Sequence, residues 1–206
     1  MNKFIQDAWL EAAYYIESNG EAAIVDPLRE VESLYCHEHA RDGAEIRYVL
    51  ETHFHADFVS GHIDLAAKTG ARIVFGPTAV PGYDAYVARD GEELKLGNVS
   101  IIVLHTPGHT MESTTYLLRD DNGKDYAIFT GDTLFIGDVG RPDLVQKVKA
   151  EITPDYLAGL LFDSLRNKIM PLANEVIVYP GSWCRKCLWK EHEQRNGGYT
   201  GSSESI

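Results

Sequence analysis

The strongest constraint on the fold of this chain is a strand-like apolar segment that ends in two histidines and an aspartate at alternate positions. The segment runs from Ile46 to Glu51, and the loop Thr52-His53-Phe54-His55-Ala56-Asp57 follows it directly. Side chains two positions apart in an extended chain point the same way, so His53, His55 and Asp57 can enter one cleft. Imidazole and carboxylate groups bind transition metals. The spacing therefore predicts a metal site in a loop at the end of a strand.

Two later segments repeat this arrangement of an apolar strand followed by polar groups. They are His105-Thr106-Pro107-Gly108-His109-Thr110 and Phe129-Thr130-Gly131-Asp132-Thr133-Leu134. In each segment a glycine lets the backbone turn sharply after the strand, so that His109 and Asp132 can face a common site. Taken singly, they also fit an ordinary loop histidine and a turn-capping aspartate, but the coincidence with the first loop favours a shared metal site. Four other histidines are interpreted as surface or helix residues: His37, His39, His62 and His105.

The order of apolar segments and turn signals predicts alternating helices and strands, then an antiparallel region, then a last helix and strand. The first element is a hairpin over residues 12–25, whose turn is Ser18-Asn19-Gly20. The predicted helices cover 29–40, 63–68 and 154–168, and the other predicted strands cover 46–51, 73–75, 101–104, 114–118, 126–129 and 176–179. Two β-rich halves, each followed by a helix, suit a sandwich of two sheets with helices outside.

The composition places the chain among ordinary globular domains. Its 206 residues suffice for one substantial core, and no stretch approaches the roughly 20 apolar residues that span a bilayer. The net charge of −12 argues against general binding of nucleic acid, which needs clustered lysine and arginine. Its three cysteines do not make a disulfide framework. We therefore expect one cytoplasmic domain that binds neither nucleic acid nor membranes.

The order of the motifs resembles the metallo-β-lactamase superfamily. The matching motifs are Thr-His-x-His-x-Asp at 52–57, Pro-Gly-His-Thr at 107–110, Thr-Gly-Asp-Thr-Leu at 130–134 and Val-Tyr-Pro-Gly at 178–181. Within the superfamily, residues 131–144 resemble persulfide dioxygenases, especially the bacterial type that is often fused to rhodanese domains. The resemblance implies an α/β fold, a four-layer αββα sandwich of two mixed sheets with helices outside.

The resemblance also implies a ligand set and a reaction. It implies that His53, His109 and Asp132 hold one iron(II) per chain. His55 and Asp57 would support these ligands without binding the iron themselves. Two imidazoles and one carboxylate on one face of iron leave positions for substrate and dioxygen. The implied activity is a persulfide dioxygenase that oxidises the terminal sulfur of a small thiol persulfide, of glutathione, coenzyme A or a similar carrier, with O2. The products are sulfite and the thiol.

The same resemblance assigns Arg141 to the mouth of the site. Its guanidinium can pair with a carboxylate or phosphate of the thiol carrier. An ordinary surface or structural arginine is the alternative for this position. The implied functional partner is a rhodanese-type domain or protein, and association into homo-oligomers is left open.

A hydrolase of the same fold is the main alternative. Glyoxalase II-like thioesterases and lactonases use two zinc or iron ions and a bridging hydroxide, and their first motif reads His-x-His-x-Asp-His. The last histidine of that motif binds the second metal, and here the position is Phe58. Another histidine for the second metal is expected after Gly181, where this chain has Ser182. Both departures favour one metal. Two further alternatives stay open: a site loaded with zinc, and an inactive, truncated or purely binding member of the fold.

The last 25 residues depart from the family pattern. We interpret residues 1–181 as the catalytic domain and 182–206 as an atypical tail. Back-translation of the start of this tail in a shifted frame gives His-Gly-Ala-Gly-Ser-Ala-Cys-Gly-Lys, which resembles the family sequence, so our hypothesis is a frameshift product. The competing interpretation of Cys184-x-x-Cys187 is a redox or zinc pair, which is a weak signal without a second pair.

Overall fold

The structure is a computed structural model, and it describes residues 12–31, 43–143 and 152–181. The described strands are β1 (Tyr14–Ser18), β2 (Glu21–Val25), β3 (Glu45–Leu50), β4 (Arg72–Phe75), β5 (Tyr86–Val87), β6 (Glu93–Leu96), β7 (Val99–His105), β8 (Thr114–Arg119), β9 (Asp125–Gly131), β10 (Leu134–Phe135), β11 (Asp138–Val139) and β12 (Ile177–Pro180). The described helices are α1 (His62–Thr69) and α2 (Pro154–Ser164), and α2 continues into a π-helical turn, Leu165–Ile169. Neither α1 nor α2 is long and apolar enough to cross a membrane.

The first sheet has the strand order β1-β2-β3-β4-β5. Strands β1 and β2 form the predicted antiparallel hairpin, and its turn residues Asn19 and Gly20 both have positive φ, at 50° and 79°. Asn-Gly adopts these backbone angles readily, which explains why the hairpin turns there. Strands β2 to β5 run parallel to one another, so the sheet is mixed.

The second sheet has the strand order β12-β9-β8-β7-β6. Strands β6 to β9 pair antiparallel, as predicted for the middle of the chain, whereas β12 joins the edge parallel to β9. Parallel pairing brings the ends of β9 and β12 together, and the Gly181 amide donates to the Gly131 carbonyl at 2.9 Å. The chain after β12 therefore leaves the sheet beside the segment that carries Asp132.

The core lies mainly between the two sheets, and apolar residues at alternate strand positions build it. In β1, Tyr14 and Ile16 face this interior together with Tyr116 and Phe129 of the second sheet. The intervening Tyr15 packs on the opposite face of the first sheet. Helix α1 covers that outer face, and the residues that follow α2 cover the outer face of the second sheet. The predicted αββα sandwich with two mixed sheets is confirmed.

The helix predicted from Pro154 begins at that residue. Thr153 caps it, because its hydroxyl accepts a hydrogen bond from the Tyr156 amide at 3.1 Å. The predicted range to 168 combines the α-helix and the π-helical turn. The prediction missed the short strands β5, β6, β10 and β11, and most of the helix predicted over 29–40 lies outside the described residues.

Several strands of the two sheets end at the same edge of the sandwich, and their loops pack tightly there. Gly108 shows how tight this packing is: a Cβ at this position would lie 2.5 Å from the Cα of Leu161 in α2. The φ of Gly108 is +144°, a conformation that other residues rarely adopt. Helix α2 therefore supports the loop that carries His109.

This contact predicts that Gly108→Ala destabilises the protein by about 1–3 kcal/mol, because the added methyl group meets backbone and the φ is unfavourable. Thermal unfolding should show a melting temperature lowered by roughly 2–4 °C for each kcal/mol. Gly159→Ala is the matched control, since a Cβ there meets nothing within 4 Å and alanine favours a helix interior. A melting temperature that falls equally in both variants would contradict the role assigned to Gly108.

Candidate metal centre

The structure brings together His53, His109 and Asp132, each from a different strand-end loop. Each of the three residues has one donor atom within 4.8 Å of the donors of the other two. The Nε2 atom of His109 is 3.6 Å from Oδ2 of Asp132, and the rings of His53 and His109 are nearly perpendicular with centroids 5.0 Å apart. The two histidines are buried, and the Asp132 side chain is 23% exposed. The cluster is therefore mostly buried, and Asp132 is its most accessible member.

The donor set of this cluster fits one metal ion. Two donors bound to the same ion lie at most about 4.4 Å apart, twice a metal–ligand bond length, and the 3.6 Å separation of His109 and Asp132 falls within that limit. Burial raises the pKa of the Asp132 carboxyl, so ionisation of this group calls for a nearby cation. No lysine or arginine in the described part of the chain forms an ion pair with Asp132. Two imidazoles and a carboxylate suit iron or zinc.

His53 is held in the neutral form that binds metals. Burial lowers the pKa of the His53 imidazole well below its usual value, and the neighbouring His55 and His109 lower it further. Its Nδ1 atom is hydrogen-bonded to the Thr52 hydroxyl at 2.9 Å. Its remaining nitrogen, Nε2, is therefore available to a metal.

His55 turns its Nε2 away from the cluster toward two buried carboxylates. Nε2 lies 3.1 Å from Oδ1 of Asp26 and 3.7 Å from Oε2 of Glu51. Burial disfavours the charged imidazole, but the negative charges of Asp26, Glu51 and Asp57 outweigh burial and raise the pKa of His55 to about 9. Asp57 is exposed. The supporting roles that the sequence assigned to His55 and Asp57 stay predictions.

Sequence reasoning missed Asp26 and Glu51, which are 3% and 1% exposed beside the candidate site. Glu51 accepts a hydrogen bond from the Ser60 hydroxyl at 2.7 Å, and Nδ1 of His62 is 2.7 Å from the same hydroxyl. His62 begins helix α1 as expected, but its side chain is only 12% exposed and stacks on Tyr83, so the expected surface position is wrong. The available signal was an acidic residue directly after an apolar strand, in Val25-Asp26 and Leu50-Glu51.

Phe58 lies where two-metal members of the fold have a histidine. Its ring centroid is 4.2 Å from that of His55, and its side chain packs against the buried cluster on the outer face of the first sheet. A phenyl ring has no lone pair to offer a metal. The side chain therefore contributes to packing under the loop and supplies no ligand.

Arg141 contacts the cluster through its backbone. Its carbonyl oxygen is 3.1 Å from Nδ1 of His109, whereas its guanidinium makes two hydrogen bonds to Asp143, at 3.0 and 2.7 Å. The guanidinium is exposed, and its predicted contact with substrate stays a prediction. The neighbouring Gly140 passes so close that a Cβ there would lie 1.8 Å from the Asp132 carbonyl oxygen and 3.0 Å from Cβ of His109.

The other polar residues considered in the sequence play no part in this cluster. His105 is the last residue of β7 and is partly buried, with Nε2 2.9 Å from the Met111 carbonyl oxygen, so its interpretation as a surface or helix residue is wrong. His37 and His39 lie outside the described residues, as do the Cys184-x-x-Cys187 pair and the tail from 182 to 206. The interpretation of that tail stays a hypothesis.

A sandwich of two sheets with a His/His/Asp cluster at one edge is typical of a class of metal-dependent enzymes. Comparison of the sequence with known families supports the same class. The model of the metallo-beta-lactamase superfamily matches residues 7–181. The chain therefore belongs to the metallo-β-lactamase superfamily of enzymes.

Individual relatives point to more than one activity. A hydroxyacylglutathione hydrolase of Acidiphilium cryptum is 38% identical over 63% of this chain and 51% of its own length, and several other curated relatives bear the same name. A metallo-β-lactamase structure from Staphylococcus aureus has a TM-score of 0.77 and 32% identity over 88% of this chain and 55% of that chain. ETHE1 from Myxococcus xanthus has a TM-score of 0.75 and 28% identity over 89% of this chain and 76% of that chain. The chain thus spans about half the length of the curated relatives that it matches.

The close approach of Gly140 predicts that Gly140→Ala weakens metal binding without changing any ligand. The added methyl group has to displace the backbone that orients His109 and Asp132, so we expect the zinc affinity of the metal-free protein to fall about tenfold or more. Titration with a chromophoric chelator as competitor measures this. Gly82→Ala is the control, because a Cβ at position 82 meets nothing within 4 Å. Unchanged affinity in Gly140→Ala would contradict the role of this backbone segment.

Proposed function

We propose that the chain is a one-metal, non-haem iron oxygenase that oxidises the terminal sulfur of a small thiol persulfide. The observation that carries the proposal is Phe58. This position supplies a second-metal histidine in the two-metal hydrolases of the fold, and here its partly buried side chain packs against the buried cluster on the outer face of the first sheet. A dinuclear centre would therefore lack one of its ligands. The His/His/Asp cluster is complete without position 58, and its donor set is typical of iron(II) oxygenases.

Each residue of the site has a separate role in metal binding. His53 and His109 would hold the metal through neutral nitrogens, and Asp132 would supply the negative charge. When bound, iron supplies the redox chemistry with O2 that no side chain of this chain offers. The overall change is persulfide plus O2 plus water to thiol, sulfite and two protons. The sulfur gains three oxygen atoms, and the carrier leaves as the thiol.

Apolar side chains that lie close to the candidate ligands in sequence suit a persulfide group. Phe54 directly follows His53, and the hairpin of β10 and β11 carries Ile136 and Val139 between Asp132 and Gly140. The three apolar side chains are exposed by 40%, 45% and 39%. The sulfur atoms of a persulfide are polarisable and hydrogen-bond only weakly, so they gain from contact with such surfaces. The carrier's charged part would then lie farther out, on the side of Arg141.

A thioester hydrolase is the second candidate, and the curated relatives named hydroxyacylglutathione hydrolase favour it. Such a reaction would require hydrolysis with one metal, or a second ion held by ligands other than position 58. Asp57, which belongs to the second-metal motif, is retained and exposed. Both candidates share a thiol carrier as part of the substrate. The third candidate is an inactive member of the fold, which would show neither activity.

The proposal also covers the location and the partners of the protein. A cytoplasmic location suits a small thiol carrier, and an Arabidopsis thaliana relative is named as a cytoplasmic hydroxyacylglutathione hydrolase. A rhodanese-type domain or protein would be a fitting partner, since sulfur transfer produces persulfides. Self-association of the chain is left to direct measurement.

The proposal predicts O2 consumption that depends on glutathione persulfide and releases sulfite in equal amount. The protein would be reconstituted anaerobically with iron(II), and a second sample would be tested without O2 on a hydroxyacyl thioester of glutathione. We expect O2 uptake and no thioester cleavage. Asp132→Asn, which keeps the size of the side chain, should abolish O2 uptake because it removes the anionic ligand.

The opposite pattern identifies the hydrolase. Anaerobic thioester cleavage without persulfide-dependent O2 uptake would contradict the oxygenase. Phe58→His is an informative variant, because it restores the missing ligand type. If the empty second site explains the lack of hydrolysis, this variant should bind more zinc than the parent chain. Absence of both activities in metal-loaded protein would identify an inactive member.

A further inference from the structure

A chain of buried hydrogen bonds runs from Asp26 through Thr52 to His53. The Thr52 amide donates to Oδ1 of Asp26 at 2.7 Å, and the Thr52 hydroxyl is 2.8 Å from Oδ2 of the same carboxylate. The same hydroxyl oxygen is 2.9 Å from Nδ1 of His53. The three residues are 3%, 2% and 4% exposed, so water does not compete for these contacts.

The direction of these hydrogen bonds follows from counting protons. A hydroxyl has one proton to donate, and a carboxylate can only accept. The contact between Thr52 and Asp26 therefore uses the hydroxyl proton of Thr52. The same oxygen can then only accept at its second contact, so Nδ1 of His53 has to carry the donated proton. In a neutral imidazole, Nε2 is then left with its lone pair.

We infer that Asp26 and Thr52 are positioning residues that fix the tautomer of His53, so that Nε2 is the nitrogen presented to the metal. Neither residue belongs to the His/His/Asp cluster. Asp26 acts across 26 positions of sequence through one hydroxyl group. The inference rests on the proposed metal site but not on the persulfide reaction.

His109 reaches the same tautomer through a different acceptor. Its Nδ1 lies 3.1 Å from the carbonyl oxygen of Arg141, and a carbonyl only accepts, so this nitrogen also carries the proton. The lone pair of Nε2 then faces Asp132, whose Oδ2 is 3.6 Å away. Both histidines thus present Nε2 to the same space, although their orienting acceptors come from unrelated parts of the chain.

The two acceptors differ in charge. The series of hydrogen bonds that starts at His53 ends on the carboxylate of Asp26, whereas His109 donates to a neutral peptide group. Hydrogen bonding toward an anion makes an imidazole a stronger electron donor to a metal. The hydrogen-bond chain behind His53 should therefore influence metal affinity more than ordinary packing does.

Substitutions at Thr52 separate the hydroxyl from the shape of the side chain. Thr52→Ser keeps the hydroxyl and should bind zinc within about threefold of the parent protein. Thr52→Val keeps the shape but leaves Nδ1 of His53 without an acceptor, and we expect affinity about 10–100-fold lower. Thr69→Val in α1 is the matched control, because it removes a hydroxyl that donates to the Leu65 carbonyl, far from the cluster in sequence.

Asp26→Asn should reverse the direction of the hydrogen-bond chain. The amide oxygen can keep its bond to the Thr52 amide, and the NH2 group would then donate to the Thr52 hydroxyl. The hydroxyl would in turn donate to Nδ1 of His53, which moves the ring proton to Nε2 and blocks the lone pair. Asparagine also tolerates the backbone at position 26, where φ is +48°. We therefore expect Asp26→Asn to bind zinc more weakly than Thr52→Val.

Ring-nitrogen NMR of the metal-free protein tests the tautomer directly, and zinc titration tests its consequence. The parent protein and Thr52→Ser should show His53 protonated at Nδ1, and Asp26→Asn should show it protonated at Nε2. A parent His53 protonated at Nε2, or Thr52→Val with the affinity of Thr52→Ser, would overturn the inference. If Asp26→Asn fails to fold, the Thr52 pair still decides. Because neither measurement uses O2 or persulfide, failure of the proposed reaction would leave these results unaffected.

Discussion

Buried negative charge organises this edge of the sandwich. Asp26 and Glu51 are almost fully buried, and Asp132 is mostly buried, yet no lysine or arginine pairs with them in the ranges that the structure describes. A buried carboxylate without a cation or hydrogen-bond donors is too costly to keep ionised. Two histidines, His55 and His62, approach the first pair of carboxylates, and Asp132 has the two histidines of the candidate metal centre beside it. The loops that carry these groups are positioned by the need to satisfy this charge.

Glycines at the strand ends let those loops come close enough. A Cβ on Gly131 would lie 2.3 Å from the Thr52 hydroxyl oxygen, and a Cβ on Gly181 would lie 2.8 Å from Oδ1 of Asp132. These contacts join the ends of β3, β9 and β12, which belong to two different sheets. The site therefore depends on the sandwich as a whole, because no single loop contains enough of it to form alone.

The site residues that directly follow a strand in sequence could be predicted from the sequence. His53, His109 and Asp132 follow apolar segments, so their convergence was foreseeable from the order of elements. Asp26 and Glu51 were not. Asp26 matters because it accepts a hydrogen bond from Thr52 across separate strands, and Glu51 matters because His55 and His62 fold back onto it. His62 was misjudged for the same reason: its position at the start of α1 looks exposed until Glu51 and Tyr83 pack around it. Short edge strands such as β5 carry too few residues to show a periodic pattern.

The one-metal oxygenase and the two-metal hydrolase differ in the number of metal ions that each needs. Curated relatives favour a thioester hydrolase, whereas Phe58 favours a single ion and oxygen chemistry. Elemental analysis of protein reconstituted anaerobically with iron and zinc in competition tests this choice most directly. The one-metal account predicts about one iron per chain, lost when His109 is replaced by alanine. Two zinc ions per chain would contradict it and would mean that other residues replace the missing ligands.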